Sequence, residues 1–230
     1  MEVCELIVER AADFNHVNVA TALRTVLQSR RDGVPHQLVE KAQHALEAAA
    51  LRMIDEFEAH QVASTLHIMA KTHYRPWDPS LVPALEVRAE AVADTFNTQS
   101  LANTLWAYAT MGREPEAGVM RELAGRAEAL AGTFNAQNVA NTLWAYATMR
   151  REPGAGLMRV LEGRAEALAG TFNAQNVANK FNTQEVANTL WRRLCYMCSD
   201  GICNCWATLS SGCSTWNGAS GKGHARGSSI

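Results

Sequence analysis

Four residues after each of six phenylalanines stands a side chain that can both donate and accept hydrogen bonds, or accept strongly: Asn18, Gln61, Ser100, Asn138, Asn176 and Glu185. A polar position that varies in identity while its neighbours stay fixed is what the reading of nucleobase edges requires. In helical-repeat RNA readers two or three side chains per repeat recognise one base. The competing explanation is a solvent-facing position free to drift among polar types. Three positions further on, Asn103, Asn141, Asn179 and Asn188 recur, replaced by Thr21 and Ser64 in two weaker copies. Asparagine inside a helix is unfavourable by propensity, so its recurrence implies a partner. A side-chain ladder between units or a ligand contact would each supply one. Trp106, Trp144 and Trp191 recur beside a leucine and suit either the core or base stacking.

Arginines recur as well. Arg88, Arg126 and Arg164 are 38 residues apart, joined by Arg121 and Arg159. A row of arginines can follow a phosphate backbone, yet Glu90, Glu128 and Glu166 follow two residues later, which equally describes a solvated charged face. Near the C-terminus Cys195, Cys198, Cys203 and Cys205 offer four thiolates to a zinc ion. Only four residues separate the two pairs, so incidental cysteines in an unstructured tail are the competing reading. No H-E-x-x-H, P-loop, G-x-S-x-G or dinucleotide fingerprint occurs. The sequence therefore points to a binding protein without cofactors rather than to an enzyme.

The elements that must position these residues follow from an internal repeat. "TFNTQSLANTLWAYATM" begins at Thr95, "TFNAQNVANTLWAYATM" at Thr133, and the phrase starts again at Thr171, 38 residues apart each time. Weaker copies begin at Phe57 and Phe14. Each unit reads as two helices. Asn97 is placed to cap the first and Phe96 to staple it to Leu101. Leu101, Ala102, Leu105, Trp106 and Ala109 then mark an apolar face at helical spacing. Gly112 suits a C-cap and Pro115 a new first turn. Met120, Leu123, Ala127 and Leu130 give the stripe of the second helix. One hairpin cannot bury both faces, so neighbours must stack. The expected fold is all-α, an α-solenoid of helix-turn-helix repeats. Small alanines at Ala20, Ala63, Ala102, Ala140, Ala178 and Ala187 would sit at close helix approaches, and Leu23, Leu66, Leu105, Leu143 and Leu190 in the core.

The array is expected over residues 1–191, with units near Phe14, Phe57, Phe96 and Phe134, a truncated unit at Phe172 and a partial one at Phe181. The last two starts are nine residues apart, so the fifth unit has lost most of its length; one continuous helix from about Asn173 to Leu194 is the alternative. From Arg192 to Ile230 the chain turns rich in Cys, Ser and Gly, and this tail is expected to be disordered. The formal net charge of −2 gives no global positive field. No apolar run approaches the roughly 20 residues of a membrane helix. The acidic start, "MEVCELIVERAADFN", has neither the pattern of a secretory signal nor that of a transit peptide.

The 38-residue unit and the phrase "FNAQNVANTLWAYATM…EP…LM…L" resemble the octotricopeptide repeat family and the related FAST-kinase-like repeats, over about Phe57 to Trp191. The resemblance implies an α-solenoid without cofactors that binds single-stranded RNA in a chloroplast or mitochondrion and governs transcript stability, processing or translation. It maps base reading near Gln99 and Ser100, Gln137 and Asn138, and Gln175 and Asn176. Many members end in a RAP domain, and nothing here matches one. A protein-interaction scaffold is the alternative, because a solenoid offers its concave face to peptides as readily as to RNA.

Overall fold

The computed structural model describes residues 2–29 and 34–168. They form α1 (Glu2–Arg10), α2 (His16–Ser29), α3 (His36–Arg52), α4 (Ala59–Lys71), α5 (Leu81–Ala91), α6 (Thr98–Met111), α7 (Ala117–Leu130), α8 (Ala136–Thr148) and α9 (Ala155–Ala167). The described residues contain no strand. Neighbouring helices stack as a solenoid. The even-numbered helices, which open on the repeated phrase, form one layer: α2 packs on α4, α4 on α6 and α6 on α8. The odd-numbered helices form the other and touch one another more sparingly. We call the layer of even-numbered helices, which includes α4, α6 and α8, the inner layer and that of the odd-numbered helices the outer layer.

Each passage from an outer helix to the next inner one has one design. A short 3-10 turn (Ala93–Thr95, for example) ends the outer helix, and a phenylalanine in extended conformation follows. The side chains of Phe57, Phe96 and Phe134 are completely buried. The next residue caps the inner helix: Asn97 Oδ1 accepts from the backbone N–H of Ser100 at 2.8 Å, and Asn135 Oδ1 from that of Asn138 at 2.8 Å. The turn itself has no signature in the repeated phrase. Nor has α1, an outer-layer helix packed on α3 that extends the array N-terminal to Phe14.

The alanine column is buried where it is described, at Ala20, Ala63, Ala102 and Ala140, as are Leu23, Leu66, Leu105 and Leu143. Pro115 differs from expectation. The N-cap of α7 is Glu116, so the proline stands before the helix rather than in its first turn. Its ring is buried there. The sequences at 172–191 and the tail at 192–230, with Cys195, Cys198, Cys203 and Cys205, lie outside the described residues.

Gly112 closes α6 in the left-handed region, at φ 64°. The equivalent places after α4 and α8 hold His73 at φ 52° and Arg150 at φ 56°. Side chains with a Cβ pay roughly 1–2 kcal/mol there. His73→Gly should therefore raise stability by about 0.5–1 kcal/mol after the added freedom of the unfolded chain is allowed for, measured as a shift in the urea midpoint at unchanged slope.

Candidate nucleic-acid interface

The polar column four residues after each phenylalanine does not face solvent through the array. Ser100 is 4% exposed, Asn138 6% and Gln61 7%. All three occupy the third position of an inner helix, one turn from its cap. Gln61 shows what that place is for: its Oε1 accepts from the backbone N–H of Glu58 at 3.1 Å, the reciprocal half of a capping box. Base reading and free drift both require an open position, and buried Ser100 and Asn138 correct that expectation. Gln61 satisfies one of the unpaired N–H groups that a helix start carries, and Ser100 and Asn138 hold the same position in α6 and α8. Asn18 is exposed, and its backbone N–H is capped by Asn15 Oδ1 at 2.9 Å. Gln175, Asn176 and Glu185 lie outside the described residues.

One residue earlier, the helix turns its outward stripe to solvent. In α6 it consists of Gln99, Asn103, Trp106 and Thr110, at i, i+4, i+7 and i+11, exposed or half-buried among buried neighbours. The same places hold His60, Ser64, His67 and Lys71 in α4, and Gln137, Asn141, Trp144 and Thr148 in α8, where Asn141 is buried and the other three are half-buried. Asn141 Oδ1 accepts from Gln137 Nε2 at 2.7 Å. The recurrent asparagine in α8 therefore finds its partner on its own helix, not in a ladder between units.

The aromatic positions form a row across three repeats. The ring centroids of His67 and Trp106 are 4.8 Å apart and those of Trp106 and Trp144 6.3 Å, with interplanar angles of 39° and 29°. Both tryptophans are half-buried, seated on the core with part of the indole open on the inner layer. Amide side chains flank them on the same stripe, so apolar ring faces and hydrogen-bonding groups alternate along it.

The 38-residue arginines have another duty. Arg88 Nε donates to the carbonyl of Phe57 at 2.6 Å, Arg126 Nε to that of Phe96 at 2.9 Å and Arg164 Nε to that of Phe134 at 2.7 Å. Each half-buried guanidinium clasps the outer helix of a unit to the start of its inner helix, satisfying a carbonyl in the junction. The glutamates two residues later also have a place. A Cβ on Gly118 would stand 2.6 Å from Glu90 Oε1, and one on Gly156 2.5 Å from Glu128 Oε1. Each carboxylate thus rests against the first turn of the next outer helix, where the macrodipole favours negative charge. Glu90 and Glu128 are contacts between repeats, not merely members of a solvated face. Arg121 and Arg159 are exposed on α7 and α9, away from the inner stripe.

A second group of cations, absent from the repeated phrase, stands at the C-terminal ends of the inner helices: Lys71, Arg75, Arg113, Arg150 and Arg151. Arg113 lies 3.6 Å from buried Glu86, and Arg151 2.6 Å from Glu114. Burial raises the Glu86 carboxyl above the usual range, against the pull of Arg113. Lys71, Arg75 and Arg150 are exposed and make no ion pair among the described residues. Their signal in the sequence is a basic residue 14 to 18 places after Phe57, Phe96 and Phe134, blurred by a register that shifts between copies. Among the described residues no helix is long and apolar enough to cross a membrane.

Residues 51–190, more than half of the chain, match the model of a family described as RNA-editing substrate-binding complex 6 protein. No curated protein matches the chain.

Proposed function

Because the chain belongs to the RNA-editing substrate-binding complex 6 protein family, an RNA-associated helical family, we propose that it binds single-stranded RNA across the open stripe of α4, α6 and α8. The observation that carries this reading is the row of half-buried rings His67, Trp106 and Trp144 on the inner layer. A ring held by the core but open on one side is a stacking platform prepared at no cost in order, and stacking tolerates any base. His60, Gln99 and Gln137 stand two turns before the rings on the same stripe and are the side chains we assign to base edges, in place of Ser100 and Asn138. The reading is of a binding protein and not an enzyme. The family's name describes a complex, which supports protein partners beside the RNA. The likeness to octotricopeptide repeats supports an organellar setting, in transcript stability, processing or translation.

Trp106→Ala and Trp144→Ala should each weaken binding of a fluorescein-labelled oligo(A) by about 1–3 kcal/mol, or roughly 5- to 150-fold, with the thermal transition still present. Fluorescence anisotropy measures it. Retention of no RNA by the parent at low salt would reject the reading in favour of a protein-interaction scaffold.

A further inference from the structure

We infer that Lys71, Arg75 and Arg150 form a phosphate track for the RNA strand, along the edge made by the C-terminal ends of the inner helices. This rests on the RNA reading above and fixes where the sugar-phosphate backbone runs. Successive inner helices are parallel, since each is followed by an antiparallel outer one, so their C-terminal ends share an edge. On α4, Lys71 stands four residues beyond His67 on the same stripe, a rise of about 6 Å along the axis. That is near the reach from a stacked base to its own phosphate. Arg75 follows in the connection after α4, and Arg150 in the connection after α8.

Two observations separate this edge from ordinary surface charge. The nearby cations Arg113 and Arg151 are occupied by Glu86 and Glu114, whereas Lys71, Arg75 and Arg150 have no ion pair among the described residues. A cation in the last turn of a helix also complements the macrodipole, which would account for Lys71 alone. Arg150 goes further: it holds a φ of 56° at the place where Gly112 ends the preceding inner helix. Stability favours glycine there, and strain kept at a surface position points to a use for the side chain. The outer-layer arginines offer no such track: Arg88, Arg126 and Arg164 are engaged with carbonyls, and Arg121 and Arg159 lie in the other layer.

The test is the salt dependence of binding to fluorescein-labelled oligo(A) between about 50 and 200 mM salt, where each phosphate contact to a single strand contributes about 0.7 to the slope of log K against log salt. The combined variant Lys71→Gln, Arg75→Gln, Arg150→Gln should lower that slope by about 2 and leave the melting temperature near that of the parent. The control Arg121→Gln, Arg159→Gln should leave the slope unchanged. An unchanged slope in the triple variant, or a loss confined to the control, overturns the track while leaving RNA binding standing. A parent that holds no RNA at low salt overturns both.

Discussion

Phe96→Ala should destabilise the protein by about 3–5 kcal/mol, the range for truncating a fully buried aromatic side chain. The ring is completely buried at the point where the 3-10 turn hands over to α6, and its own carbonyl is the acceptor for Arg126. A cavity there loosens the helix start, the clasp from the outer helix and the contact with the preceding repeat together. In a repeat array each unit is stabilised mainly by its neighbours, so a break in the middle should also broaden the unfolding transition. Urea unfolding followed by circular dichroism measures both effects. Phe14→Ala, at a half-buried ring, should cost distinctly less. Equal midpoints for parent and Phe96→Ala would remove the phenylalanine from its assigned place at the junction.

Glu47→Ala should cost about 3 kcal/mol. Glu47, on α3, is 2% exposed. Its Oε1 accepts from the Tyr74 hydroxyl and from the backbone N–H of Trp77 at 3.2 Å; its Oε2 accepts from that of Asp78 at 3.0 Å. One carboxylate thus organises the connection between α4 and α5. Hydrogen bonds to a charged group are each worth about 1.5–3 kcal/mol, and removing the acceptor strands buried donors. Tyr74→Phe, which removes one of the three, should cost about 1.5 kcal/mol, the low end of that range. Chemical denaturation of both variants separates the contributions; a Glu47→Ala variant as stable as Tyr74→Phe would show that the two backbone contacts carry no weight.

Glu47 also shows how a repeat adapts when one residue changes. Glu86 occupies the equivalent place in the next unit and faces Arg113; one unit further the place is taken by Ala124, and Arg151 pairs with Glu114 instead. Such an exchange of partners cannot be read from a phrase, because the partner sits in a different unit. The clasp from Arg126 to the Phe96 carbonyl was hidden for a related reason. Its acceptor is backbone, and backbone leaves no mark on side-chain patterns.

The solenoid itself was legible. Its phrase repeats at a fixed period, its caps and its left-handed Gly112 fall at the expected places, and its alanine and leucine columns are buried among the described residues. The orientation of the inner helices was not. A helix turns about 100° per residue, so choosing Ser100 instead of Gln99 selects a different face. With apolar residues around most of α6, periodicity alone did not pick the open side. Polarity at Ser100 and Asn138 answered equally to base reading and to a helix start that needs hydrogen-bonding groups. Glu90 and Glu128 resembled a solvated face because the glycines that admit them, Gly118 and Gly156, follow 28 residues later in the chain.

The most direct test of the central claim, that RNA lies on the inner layer, is ultraviolet crosslinking of single-stranded RNA to the intact protein with the crosslinked residues located by mass spectrometry. Crosslinks should concentrate on His67, Trp106 and Trp144 and on their neighbours within Ala59–Lys71, Thr98–Met111 and Ala136–Thr148. Crosslinks confined to Leu81–Ala91, Ala117–Leu130 and Ala155–Ala167, the helices of the outer layer, would contradict it.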